Sequence, residues 1–177
     1  MQEETSPNYN EWRIIQVDKD GNIVRDATKH NIVVETGRSN LAKAMLPFGV
    51  TPWQIGYMGA GSSSTAEAAT QTALVTELTA DSSRKAIKKV GGGSTPFSGG
   101  DLVSDVTTIS GYTFRYSVTL EVVYDYTDPN NGSNFREYAL FDSSTFGAGN
   151  MYCRVVDTIT IAKDSSTKII VQVKMRW

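Results

Sequence analysis

Tyr112 to Tyr124 reads YTFRYSVTLEVVY, and its side chains alternate at the two-residue period of a half-buried strand. One face carries Tyr112, Phe114, Tyr116, Val118, Leu120, Val122 and Tyr124, while the other carries Thr113, Arg115, Ser117, Thr119, Glu121 and Val123. A long strand with one buried face is expected. The last stretch repeats the pattern, with Ile169, Val171, Val173, Met175 and Trp177 against Lys168, Ile170, Gln172, Lys174 and Arg176, so Trp177 is expected in the core or at an interface.

Weaker strand signals surround these two. Trp12–Val17 and Asn22–Arg25 flank Asp18-Lys19-Asp20-Gly21, whose Asp-Gly step suits a tight hairpin turn. Further runs rich in β-branched and aromatic residues are Lys29–Glu35, Trp53–Met58, Arg84–Val90, Leu102–Ile109, Arg136–Asp142, Met151–Asp157 and Thr158–Ala162. The total of roughly eight to ten strands exceeds what one flat sheet comfortably holds and suits two packed sheets. The expected fold is mainly β: an antiparallel two-sheet, jelly-roll-like sandwich with one or two short helices. Arg38–Leu46, stopped by Pro47, and Thr65–Leu78 are the candidate helices.

The chain has 177 residues, 40% of them apolar and 20% charged, enough for one domain with a real core. Residues 1–10 (MQEETSPNYN) are polar and read as a flexible arm, leaving 11–177 as a single sandwich. Gly59–Thr65, Gly91–Gly100 and Thr127–Asn134 are too polar and glycine-rich to pack and are expected as exposed loops. The net charge of −2 offers no bulk attraction to nucleic acid or an anionic membrane. No secretory leader or membrane span is expected from the acidic start and the short apolar runs.

The chemical signals are weak. One histidine, His30, and one cysteine, Cys153, make neither a Cys/His zinc site nor an intrachain disulfide. With Gly21 at the sixth position of a calcium loop, the bidentate glutamate would fall on Ala27, so residues 18–22 read as a turn. Gly56, Gly59 and Gly61, followed by Ser62–Thr65, lack the lysine of a phosphate loop and read as structural. His30 is expected at a strand start and Cys153 as a small buried hydrophobe, while Asp101, Asp105, Asp125 and Asp128 read as solvated loop carboxylates. No catalytic residue, metal ligand or cofactor is expected. Arg84-Lys85-Ala86-Ile87-Lys88-Lys89 concentrates positive charge and reads as an edge strand guarded by lysines, or as a docking patch for an acidic neighbour. Trp12, Arg84, Lys85, Lys88, Lys89 and Trp177 are the candidate interaction residues.

Four segments, taken in order, resemble tailed-bacteriophage structural proteins of the tail-collar fibre-like group. NIVVETGRSNLAKAML (31–46) resembles their strand into a helix opened by "TNxG…LA". Residues 53–78 resemble "IxxGxGttxpxxxdTaLxxE" through Gly56, Gly59, Gly61, Thr72, Ala73, Leu74 and Glu77. REYALFDSSTFGAGNMYCRVV (136–156) is similar to "reiGLFDaxxGxllaR" through Leu140, Phe141, Asp142, Gly149 and Arg154, with Ala139 where glycine is usual. The terminal alternating strand is the fourth. The resemblance implies a virion β-sandwich made in the host cytoplasm, contacting other virion proteins and copies of itself as a homo-oligomer, with no enzymatic activity and no nucleic-acid or membrane partner. A tail, neck or collar adaptor is the leading expectation. A capsid decoration protein is the second. A receptor- or carbohydrate-binding module is the third, and it needs Tyr112, Tyr116, Tyr124, Tyr126 and Trp53 on one exposed face.

Overall fold

The computed structural model describes residues 9–44, 54–79, 84–91, 101–109, 111–128 and 132–177. Most of the expected arm, Trp53, the end of the first candidate helix and most of the Gly91–Gly100 loop lie outside them. Among the described residues eleven strands form two antiparallel sheets. In the first, β2 (Ile23–His30), β1 (Tyr9–Val17), β11 (Lys168–Arg176), β8 (Tyr112–Tyr124) and β6 (Lys88–Lys89) run in that order, and β7 (Val103–Ile109) pairs with the other half of β8. The second runs β3 (Ile32–Val33), β10 (Met151–Ala162), β9 (Asn134–Phe141), β4 (Tyr57–Gly61) and β5 (Lys85–Ala86).

The alternating residues meet as the period requires. Leu120 lies opposite Val173, Val122 opposite Val171 and Tyr124 opposite Ile169, and all six are buried. They face Tyr138 and Leu140 of the second sheet, with Trp12 and Ile14 beside them, in one core. Phe135 meets Tyr124 edge-on, ring centres 5.0 Å apart, the arrangement that aromatic quadrupoles favour. At Asp18–Asn22 the hairpin forms as read: Gly21 takes φ 85°, and the Asp18 carboxylate accepts from the backbone N–H of Asp20 and Asn22, each at 2.9 Å.

Two single residues carry the chain between sheets. Asn31 separates β2 from β3, and Ile87 separates β5 from β6, so each side of the sandwich is stitched by a strand that starts in one layer and continues in the other. Arg25 of β2 reinforces one seam by a double ion pair to Asp157 of β10, both bonds at 2.6 Å. Ile87 holds the other, donating its N–H to the Gly56 carbonyl at 3.0 Å while its side chain packs on the core.

Several boundaries differ from those the residue pattern suggests. Tyr9 and Asn10, inside the expected arm, already pair with Arg176 and Met175. Asn22–Arg25 and Lys29–Glu35 merge into β2 and the corner, because β1 supplies a continuous partner as far as His30. Met151–Asp157 and Thr158–Ala162 are one strand whose register to β9 slips between Val156 and Ile161. The helix α1 spans Glu35–Ala44, three residues earlier than the periodicity places it. Thr65–Leu78 is not helical. Residues 62–79 instead form an irregular strap across the outer face of the second sheet, because their polar backbone finds better partners there than in a helical ladder. No described helix is long and apolar enough to cross a membrane.

Candidate interaction surface

A fully buried ion pair sits under the strap. Glu137 of β9 and Arg154 of β10 are fully buried and bonded at 2.7 Å. Glu137 also accepts from the backbone N–H of Thr76 at 2.7 Å and Val75 at 3.1 Å, while Arg154 donates to the carbonyls of Thr65 at 2.9 Å and Ala66 at 3.3 Å. These charged hydrogen bonds satisfy backbone groups that the irregular segment leaves over. Leu74 then closes a small apolar layer with Val34, Ala139, Phe141 and Met151. Gly61 is required by closeness, since a Cβ there would collide with Glu137 and the Thr76 carbonyl, and a side chain at Gly37 would strike the Tyr152 backbone. Of the phosphate-loop-like glycines, Gly59 and Gly61 are therefore packing glycines, buried in β4 and not in an exposed loop, whereas Gly56 has open space beside it.

Most of the six candidate interaction residues are used within the chain. Trp12 is fully buried in the main core. The Arg84 side chain is almost wholly buried: it pairs with Glu77, stacks 3.7 Å from the centre of the Phe141 ring, and donates to the carbonyls of Ala148 at 2.6 Å and Ser143 at 3.1 Å. That clamp fixes the loop 142–150. The guarded-edge reading of 84–89 holds for position, because β5 and β6 end their sheets, but the segment divides between the two sheets instead of forming one strand. Lys85 donates to the Val123 carbonyl at 2.9 Å and pairs with Asp128, and Lys89 pairs with Asp101 at 2.8 Å. Lys88 is exposed beside a cleft also lined by Glu121, whose mixed charge selects no ionic ligand. Asp101, Asp105 and Asp128 are thus ion-paired, contrary to the solvated reading. Tyr124 is buried, so the five-aromatic face that a sugar-binding module needs does not form, and Trp53 lies outside the described residues.

Of the six, Trp177 lies beside another exposed aromatic side chain. Its backbone N–H donates to the Tyr116 carbonyl at 3.0 Å and its carbonyl accepts from the Tyr116 N–H at 3.2 Å, so the two residues sit side by side on one face. Tyr112 shares that face by alternation. The same row that buries Leu120, Val122 and Tyr124 also buries Phe114, so Tyr112 and Tyr116 are exposed on either side of a covered ring of the two-stranded ribbon that β7 and the first half of β8 form. Tyr112, Tyr116 and Trp177 are 40%, 50% and 43% exposed. On β7, Val103 and Val106 are 58% and 66% exposed.

The base of this ribbon is pinned. β7 carries one extra residue between Ser104 and Thr107, a bulge that turns Asp105 toward β11 and Val106 outward. Asp105 bonds Lys174 at 2.6 Å and accepts from the Thr107 hydroxyl at 2.9 Å, and these contacts, Lys174 foremost, lower its pKa to about 2. Alternation along β8 alone foreshadows the aromatic row; the bulge has no signal in the residue pattern.

The groups capable of covalent chemistry lie elsewhere. Cys153 is buried in the core, and burial pushes its thiol pKa well up, leaving it a poor nucleophile. His30 stands exposed on β2 opposite Glu11. Among the described residues no cluster of three or more His, Cys, Asp or Glu side chains could hold a metal ion. Comparisons with protein-family models, curated proteins and solved structures find no match to this chain.

Proposed function

We propose that this chain is a non-enzymatic structural protein of a tailed-bacteriophage virion: a tail, neck, collar or fibre-attachment adaptor that works as a symmetric oligomer in contact with other virion proteins. The observation that carries the assembly part is the ribbon, which buries Phe114 but leaves Val103, Val106, Tyr112 and Tyr116 exposed, with Trp177 beside them. Exposed apolar surface of this kind marks contact sites. The remaining charged groups support the same view, since the strap, the clamp at Arg84 and the ion pairs of Lys85 and Lys89 spend them on internal geometry. The phage setting rests on the four sequence segments described above.

Mass spectrometry of purified virions and of tail-less heads tests the reading. Recovery of the chain with complete particles but not with heads supports a tail or neck adaptor, recovery with heads supports capsid decoration, and absence from both overturns the virion assignment. The row Tyr112, Tyr116 and Trp177 also favours a second reading, a carbohydrate-binding face built from three aromatics. Saturable binding on a glycan array, lost in Tyr116→Ala, is the result that would promote it.

A further inference from the structure

We propose that copies of this chain join head to tail, the Phe146 ring of one entering the cleft between β5 and β6 of the next. The inference rests on the assembly reading and adds a contact away from the ribbon. The ring, the cleft and their placement each lead to it.

The loop 142–150 holds its phenylalanine out on a fixed support. The Asp142 carboxylate closes the base, accepting from the Asn150 N–H at 2.6 Å and from the Asn150 side-chain amide at 2.8 Å. Above it the Ala148 N–H donates to the Thr145 carbonyl at 3.2 Å, and Arg84 ties down the carbonyls of Ser143 and Ala148 from inside the molecule. At the tip Phe146 is 51% exposed, among small exposed neighbours at 144, 145, 147, 148 and 149. No charged residue occurs from Ser143 to Cys153. A large ring on a preordered, uncharged tip loses little freedom when it is buried, which is what an interface anchor needs.

The cleft suits that ring. Its volume is about 330 Å³, and it is lined by Ala86, Val122 and Val123 together with Lys85, Lys88 and Glu121. An apolar cavity of about 150 Å³ already takes a benzene ring. Two of the three charges are satisfied within the chain: Lys85 pairs with Asp128, and Glu121 accepts from the Gln172 side chain at 2.8 Å and the Gly91 N–H at 3.3 Å. The Lys88 ammonium has no partner among the described residues. An anion drawn to Lys88 would also meet Glu121, whereas the face of an aromatic ring attracts the cation without carrying a charge of its own. The chain makes the same match internally, with Arg84 on Phe141, Lys85 on Tyr124 and Lys168 on Tyr126.

Placement makes the contact one between copies. Arg84 and Lys85 are successive residues with opposite partners: Arg84 reaches Glu77, Phe141 and the loop, while Lys85 reaches Val123 and Asp128 at the cleft. The loop that Arg84 fixes and the cleft that Lys85 lines therefore belong to different surfaces of the subunit. A contact that joins two different surfaces of one chain repeats from copy to copy and closes into a ring, as a symmetric oligomer requires.

Crosslinking of mixed variants on the full chain is the test. Thr145, beside the ring, and Ala86, in the cleft, are both exposed. An equimolar mixture of Thr145→Cys and Ala86→Cys, treated with a short bis-maleimide, is expected to give the mixed covalent dimer at least about tenfold faster than either variant gives its own. The wild-type chain, with Cys153 buried, serves as the blank. Adding Phe146→Ser to the Thr145→Cys chain should bring the mixed rate down to that of the single variants. Light scattering should show Phe146→Ser and, separately, Ala86→Trp, which fills the cleft, shifted toward lower mass with unchanged circular dichroism spectra. A mixed dimer that forms no faster than the unmixed ones overturns the contact. If the chain is nonetheless oligomeric and neither variant changes its mass, the assembly reading survives without it. Efficient mixed crosslinking of a chain absent from virions would leave the contact standing and remove the virion setting.

Discussion

The strap over the second sheet and the ribbon off the first are both additions to a sandwich that would close without them, and they are built in opposite ways. The strap has almost no regular hydrogen bonding of its own, yet Glu137, Arg154 and Leu74 bind it into the molecule at fully or nearly buried positions. The ribbon is hydrogen-bonded β-structure, β7 against the first half of β8 with one bulge, yet Val103, Val106, Tyr112 and Tyr116 face solvent. Regular backbone pairing is thus no measure of how firmly a segment is packed. What distinguishes the two is where their side chains are spent. The strap's side chains are spent within the molecule, whereas most of the ribbon's large ones, Phe114 apart, face solvent.

The largest effect should come from breaking the hub of the strap. Arg154→Leu leaves the Glu137 carboxylate buried without its cation and is expected to cost about 3–5 kcal/mol in a urea titration. Replacing both partners, Glu137→Leu with Arg154→Leu, often restores stability at buried ion pairs. Here it should not, because the N–H groups of Val75 and Thr76 would lose their acceptor. A double variant as stable as the wild type would mean that the strap is held by Leu74 and its apolar layer instead. In the main core, Leu120→Ala is expected to cost about 2–5 kcal/mol, and a loss near zero would contradict its burial between the sheets.

That contrast also explains which parts were legible in the residues. The faces of β8 and β11 and the Asp18–Gly21 turn depend on neighbours two to four positions away, and they follow from spacing alone. The strap depends on groups far along the chain: Thr65 on Arg154, 89 positions on, and Val75 on Glu137, 62 positions on. Local periodicity cannot register such partners, so Thr65–Leu78 reads as a helix. Arg84 misleads for the same reason, since its lysine neighbours mark a sheet edge while its own partners, Glu77 and the loop 142–150, bury it. Tyr112 and Tyr116 have the right face but stay exposed while Phe114 between them is buried, because alternation tells which way a side chain points and not what covers it. Gly61, Glu77, Phe141, Asp142, Gly149 and Arg154, which carry much of the resemblance, lie in or against the strap and clamp, while Leu140 is in the main core. The ribbon lies outside the first three resembling segments, so resemblance says little about its partner.

A smaller effect should appear at the base of the ribbon when the pH is lowered. Asp105 has a folded pKa of about 2, below the ordinary carboxylate value, so its contribution to stability is fully present above about pH 4 and is lost as pH falls through about 2. Melting temperatures of the wild type and Asp105→Asn should therefore differ near neutrality and converge toward pH 2. Parallel curves over that range would show that Lys174 does not hold β7 through this carboxylate.

The smallest effect is expected on the ribbon itself. Tyr116→Ser removes a large ring, which in a core position would cost several kcal/mol, but its half-exposed site beyond the second sheet has little to lose. The change in unfolding free energy should stay within about 0.5 kcal/mol under dilute conditions, where the chain is not associated. Measured again at concentrations that favour association, Tyr116→Ser is expected to weaken assembly if partners use this face, and unchanged assembly would exclude Tyr116 from the contact. A loss at Tyr116 comparable to Leu120→Ala in the dilute protein would mean that this face is packed within the subunit, and the contrast between strap and ribbon would no longer hold.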